Sequence, residues 1–188
     1  GRIPSTNPSQ SSKGIERGPM TQMMAVQGPI ARSVADVRSG LKVMSHRDDR
    51  DPLWAAQPLS QKSVEKVSVG YAINPFGGAL DPAVEVAMEH AIQGLRDANV
   101  SVQEIDVPGA DELPRLWGTL MFTEADSLAR SVIETNGSPE MWEYYQSFAA
   151  MFEPTDALGL LKALQRRIVR MRDWAKMFED VDLVLMPT

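Results

Sequence analysis

The sequence predicts an α/β fold with helices packed on a sheet, and three neighbouring segments carry that prediction. Lys66 to Ile73, KVSVGYAI, alternates in polarity and is rich in β-branched residues, as a strand requires. The stretch that follows, to about Ala98, spaces Val84, Met88, Ala91 and Leu95 by threes and fours, which gathers them on one helical face. Val100 to Val107 returns to a β-rich composition, completing a βαβ unit. Such a unit makes its two strands parallel with a right-handed crossover, and it belongs in a sheet covered by helices.

A length of 188 residues suits one domain with a sizeable core, and 43% hydrophobic with 23% charged content is ordinary for a globular protein. The net charge of −6 argues against nucleic acid and anionic membrane as partners, because both need a broad cationic surface. The absence of cysteine removes disulfides, thiolate nucleophiles and Cys-ligated zinc, and it fits a reducing compartment, with cytoplasm the default. No apolar run approaches the roughly 18 to 20 residues that span a bilayer, so a soluble protein is expected. Small-molecule chemistry is the class that remains.

Residues 1–32 read as a loop-rich opening and residues 33–188 as an α/β scaffold, together one domain with a helical segment over 111–178. Residues 1–24 mix Gly, Pro, Ser, Asn and Lys without period, so an extended loop is expected, with Met20, Met23 and Met24 turning toward a core. Ser11-Ser12-Lys13 tempts a catalytic reading. Adjacent residues in a flexible loop do not readily hold a Lys amine against one Ser while an oxyanion hole faces the same carbon, so a solvated loop is favoured. At Gln27 to Asp36, QGPIARSVAD, Gly28-Pro29 signals a turn and Ser33 with Asp36 forms a capping box, its Ser worth about 1 kcal/mol. Val34, Val37, Leu41 and Met44 then place one face of a helix in the core. Arg32, at the helix entrance, gains nothing from the macrodipole and reads as a structural strut.

His46 to Pro58 is charged and punctuated by proline, hence loop. His46, Asp48, Asp49 and Asp51 lack the glycine turn and terminal Glu of a calcium loop, so no metal is expected. Asn74 to Pro82, NPFGGALDP, connects strand to helix, with Asp81 as N-cap and Pro82 as first helical residue. Its Gly77-Gly78 pair matches no phosphate-binding pattern and reads as a turn. Asp111 to Glu134 reads as one helix, stopped by Asn136-Gly137, with Leu113, Leu116, Trp117, Leu120, Met121, Ala125, Leu128 and Val132 on a broad apolar face. Leu120-Met121-Phe122 suits core or pocket wall, core being the commoner use of such a stripe. A short helix should follow Ser138-Pro139, and a long one, capped by Thr155, should run to about Met177. Arg166 to Arg172 alternates with Ile168, Val169 and Met171, which describes a solvated helix face rather than a nucleic-acid contact. Asp182 to Met186 closes the chain as an apolar strand.

Four segments, in order, resemble the amidase signature family: GRIP at Gly1–Pro4, GPIARSVAD from Gly28, NPFGGALDP from Asn74, and DLVLMPT from Asp182. The resemblance covers nearly the whole chain and implies a partial amidase-signature fold, a mixed sheet with flanking helices and the βαβ unit. It implies hydrolysis of carboxylic amides by a Ser nucleophile, with a Lys relaying protons through a second Ser on a cis peptide, and no cofactor. The family's GSS-type segment is absent here, so the catalytic residues are expected upstream of Gly1, no residue of this chain is catalytic, and the chain alone is expected to be inactive. Trp117, Met121 and Phe122 become substrate-pocket candidates, because the family's helix after the βαβ unit lines the acyl side of the cavity.

A scaffold without its central strands should aggregate or partly unfold, its partner being the missing N-terminal part of its own chain. Oligomeric state is unreadable, with a homodimer of the full-length enzyme among the expectations. Two other readings stand beside this one. The glutamine-hydrolysing component of a tRNA-dependent amidotransferase shares the scaffold, and a non-catalytic α/β binding or scaffold protein would need no catalytic groups.

Overall fold

The computed structural model of the protein describes residues 18–47, 54 and 67–187. In chain order its elements are α1 (Pro19–Met24), α2 (Val34–Met44), β1 (Ser68–Tyr71), α3 (Pro82–Asp97), β2 (Ser101–Glu104), α4 (Leu113–Leu128), α5 (Arg130–Asn136), α6 (Pro139–Met151), α7 (Ala157–Met177) and β3 (Leu183–Leu185). They fall into two compact units, one of residues 62–123 and 146–188, the other of residues 1–61 and 124–145.

The first unit holds the sheet. Its three strands are parallel in the order β2-β1-β3, so the mixed sheet of the expectation is represented among the described residues by parallel pairs. Ser68 pairs with Ser101 and Tyr71 with Glu104 on one side, while Val69 pairs with Leu183 and Tyr71 with Leu185 on the other. The βαβ unit is present as β1, α3 and β2. Asp81 caps α3 by accepting the Ala83 N–H at 2.8 Å, and Pro82 opens it where a missing donor costs nothing. The helix buries Met88 and Ile92, so its core stripe runs through Ile92 rather than the exposed Ala91, because the larger apolar side chain gains more from burial. Asn99 ends it at φ 58°, the left-handed conformation that Asn tolerates. Val69, Ala72, Val100, Val107, Leu120, Phe122 and Val181 complete the buried core of this unit.

Two local expectations change in the helical region. The apolar periodicity over 111–134 does not make one helix: Ala129, at φ −116° and ψ −18°, separates α4 from α5. The cap of α7 is Asp156, whose Oδ1 accepts the Gly159 N–H at 2.8 Å. Thr155 is engaged elsewhere, its N–H donating to the buried Thr123 Oγ1 at 3.1 Å. The basic run on α7 is only partly solvated. Arg166 Nε donates to Glu112 at 2.9 Å, and Arg170, 17% exposed, lies with Nε 2.8 Å from the same carboxylate as an ion pair without hydrogen-bond angles.

In the second unit, Pro19–Met24 is helical where a loop was expected. Gly18-Pro19 starts α1 and the Glu124 carboxylate accepts the N–H groups of Met20 at 2.5 Å and Thr21 at 2.9 Å, satisfying first-turn donors from a distant part of the sequence. Met20 is buried, while Met23 and Met24 are half-buried. Ser33 caps α2 by accepting the Asp36 N–H at 3.1 Å, but the return bond runs from the Ser33 hydroxyl to Asp36 Oδ2 at 2.7 Å, not from the Ser33 N–H. The apolar face of α2 is not in a core among the described residues: no residue of the helix is buried, and Val34 is 77% exposed. Arg32 is exposed and has no hydrogen bond or ion pair among the described residues, so the strut finds no anchor there. Tyr145, on α6, is buried, stacks on Trp142 at 5.1 Å and donates its hydroxyl to Asp126, which also meets Arg130 at 3.5 Å.

Candidate functional site

The three pocket candidates lie on α4, and the helix geometry separates them. Trp117 and Met121, four residues apart, share a face, with Trp117 46% exposed and Met121 half-buried. Phe122, one residue further round, is 4% exposed and belongs to the core. What stands beside Trp117 is a second aromatic segment that the sequence alone did not single out. Phe152 meets the Trp117 ring edge-on at 6.4 Å and 79°, and Phe148 tilts against Phe152 at 5.9 Å. Gly118 makes this approach feasible, since a Cβ there would lie 2.1 Å from Phe152 Cδ1. The hydrogen bond from Thr155 to Thr123 holds the segment after Phe152 against α4 one turn further along. The result is a partly open aromatic wall of Trp117, Phe148 and Phe152 with Met121 at its side, suited to the flat face of an apolar or aryl group.

A second concavity lies in the same unit, at the carboxyl ends of β1 and β2. It encloses about 400 Å³ between Ala72–Pro75 and the segment from Glu104 to Asp111. Parallel strands deliver their carboxyl ends to one edge, which is where open α/β sheets present their crevices. The floor is apolar, with Ala72 and Val107 buried, and Asn74, Asp106 and Asp111 stand exposed at the rim. Trp174 Nε1 donates to Pro108 O at 3.1 Å and Arg170 packs against Gly109, so α7 fixes the far wall. Gly109 turns there at φ 72°. The order β2-β1-β3 reverses direction between β1 and β3, so this cleft sits on the side away from the switch point. None of Trp117, Met121 or Phe122 lines it.

The strand-to-helix loop behaves as a turn. Gly77 and Gly78 adopt φ 70° and 92°, and Asn74 Nδ2 closes the loop on Gly78 O at 3.0 Å. Among the described residues no group of three or more His, Asp or Glu side chains converges as metal ligands. Asp48, Asp49 and Asp51, like Ser11-Ser12-Lys13, lie outside the described residues. No helix among the described residues is long and apolar enough to cross a membrane.

The chain is 33% identical over 189 residues to an indoleacetamide hydrolase of Bradyrhizobium diazoefficiens, a match over 100% of this chain and 36% of that protein. It is 28% identical over 190 residues to a glutamyl-tRNA(Gln) amidotransferase component of Koribacter versatilis, covering 86% of this chain and 40% of that one. The chain thus spans well under half the length of these relatives. Among solved structures, fatty acid amide hydrolase superposes with a TM-score of 0.71 over 87% of this chain and 30% of its own, at 14% identity, a likeness of fold. The family model described as amidase matches residues 4–188, and the chain belongs to that family.

Proposed function

We propose that this chain supplies the scaffold and part of the acyl wall of an enzyme that hydrolyses carboxylic amides. The observation that carries the reading is the family match over residues 4–188. In this mechanism a Ser attacks the amide carbonyl, backbone N–H groups hold the oxyanion, the amine leaves with a proton, and water releases the acid. A Lys moves the protons through a Ser on a cis peptide. Those groups lie outside these 188 residues, since the family's GSS-type segment does not occur in them. Trp117 and Met121, with Phe152 beside them, receive the acyl portion, and an aryl acetamide suits that wall. The relative named for indoleacetamide supports this substrate class. The cysteine-free composition fits cytoplasm.

The test is ammonia release from indoleacetamide. The chain by itself should show none, and a chain completed with the unmatched part of the Bradyrhizobium relative should hydrolyse it. Met121→Ala in the completed enzyme should raise KM several-fold with kcat little changed, since such a contact binds substrate and transition state alike. Hydrolysis by the chain alone would remove the placement of the catalytic groups, and an unchanged KM would remove Met121 from the wall. The amidotransferase reading has the 28% match behind it. It is weaker than the 33% match over the full chain, and glutamine hydrolysis in place of indoleacetamide hydrolysis would restore it.

A further inference from the structure

Gly118 leaves a notch in α4 beside Trp117, and the ring of Phe152 fills it. By helical rotation Gly118 lies between the half-open face of Trp117 and Met121 and the buried Phe122, at the margin where wall becomes core. The ring stands where a side chain at position 118 would otherwise stand, since a Cβ there would lie 2.2 Å from Cε1 and 2.6 Å from Cγ of Phe152. It is held from both directions along the chain. The Phe152 N–H donates to Phe148 O at 2.9 Å, continuing the last turn of α6. Beyond Pro154, whose ring fixes φ, the Thr155 N–H is bonded to Thr123 Oγ1 at 3.1 Å. Phe148 backs the ring at 5.9 Å. Phe152 is therefore a fixed plug and not a swinging lid. Because Trp117, its edge-on neighbour, is 46% exposed, the space under the plug opens onto the wall instead of lying sealed in the core.

We infer that Phe152 sets the size limit of the acyl group: closing the Gly118 notch, it restricts the wall to a single flat aryl unit, and a smaller side chain at 152 admits a further ring. This rests on the reading that Trp117 and Met121 receive the acyl portion. The space vacated by a phenyl ring has the dimensions of a phenyl ring. The Trp117 and Phe148 rings that pack on Phe152 would pack on the ligand's ring in its place. An apolar void of that kind stays dry and takes apolar ligands, so the added ring meets no bound water to displace. Residues 118 and 152 thus act as a pair, the one leaving the space and the other filling it.

The experiment compares phenylacetamide with biphenyl-4-ylacetamide, which differ by one phenyl ring, as substrates of the enzyme completed with the unmatched part of the Bradyrhizobium relative. Phe152→Ala should raise the ratio of kcat/KM for the biphenyl over the phenyl amide by about tenfold or more, and Phe152→Leu, which keeps more of the packing, by less. In the Phe152→Ala background Gly118→Leu refills the notch from the helix side and should bring the ratio back down, a reversal that mere loosening of the fold would not give. Calorimetric binding of phenylacetate and biphenyl-4-ylacetate to the same proteins reads the shift without turnover. An unchanged ratio, a ratio that Gly118→Leu leaves raised, or no binding of either acid would overturn the inference. A shifted binding ratio in a complex that hydrolyses neither amide removes the hydrolysis reading and leaves the size limit standing. Hydrolysis whose KM responds to Met121→Ala while the ratio ignores Phe152 does the reverse.

Discussion

Replacing Gly118 by alanine sets two effects of opposite sign against each other. Helix propensity alone favours the substitution, because alanine in a helix interior is better than glycine by about 1 kcal/mol. Packing opposes it. The new Cβ would lie 2.1 Å from Phe152 Cδ1, 2.2 Å from Cε1 and 2.6 Å from Cγ, against the roughly 3.5 to 4.0 Å of ordinary carbon contact. Because Cγ is the root of the ring, rotation alone does not clear the overlap, and the whole side chain must retreat. Retreat gives up the edge-on contact with Trp117 and the tilted contact with Phe148, each worth about 0.5 to 1.5 kcal/mol beyond area burial. With the propensity gain of about 1 kcal/mol subtracted from the two ring contacts, the net effect is a loss of up to about 2 kcal/mol. Urea unfolding should show a lower midpoint at unchanged slope. In a Phe152→Ala background the clash is gone, and Gly118→Ala should then stabilise by about 1 kcal/mol. A stabilised single variant, or the same shift in both backgrounds, would refute the close approach of Phe152 to α4.

Asp156→Ala should lower stability by about 1 kcal/mol in thermal unfolding while Thr155→Ala leaves the cap intact, which separates two neighbouring residues that could each have played the part. Burial pushes the Tyr145 phenol up to about 12, and the hydrogen bond to Asp126 and the charge of that carboxylate push the same way. Its proton is therefore held in the folded state after the unfolded chain has lost it at about pH 10, so stability should fall between about pH 10 and 12. Tyrosinate absorbance should show a late component from Tyr145, and Asp126→Asn should bring it down; the lack of any late component would contradict the buried Tyr145–Asp126 bond.

Much of the fold was legible because its signals are short-range. Asp81-Pro82 before an apolar repeat specifies a helix start by hydrogen-bond chemistry that needs no distant partner, and the three strands fall inside the segments whose composition predicted them. The amidase family was legible for a related reason, since four short segments survive in order. The departures occur where a local signal has two acceptable answers. Thr155 and Asp156 both carry capping oxygens, and the choice falls to Asp156 where the Thr155 N–H turns to Thr123. The periodicity over 111–134 continues across Ala129 with no Gly or Pro to mark the break. Trp117, Met121 and Phe122 were legible as a set on one helix. Their division into a half-open pair and a core residue was not, because it depends on what packs around α4.

The sequence by itself determined the class of fold, the βαβ unit, most helix starts and the family, all of which rest on spacings of two to four residues and on ordered motifs. Only the tertiary structure decided that Phe152 meets Trp117 over Gly118, that Glu124 caps α1, and that the ends of β1 and β2 enclose a cleft. Each of these joins residues tens of positions apart or more. Such meetings are set by how the chain's apolar faces and unpaired backbone groups find cover in three dimensions, a competition that no local pattern encodes.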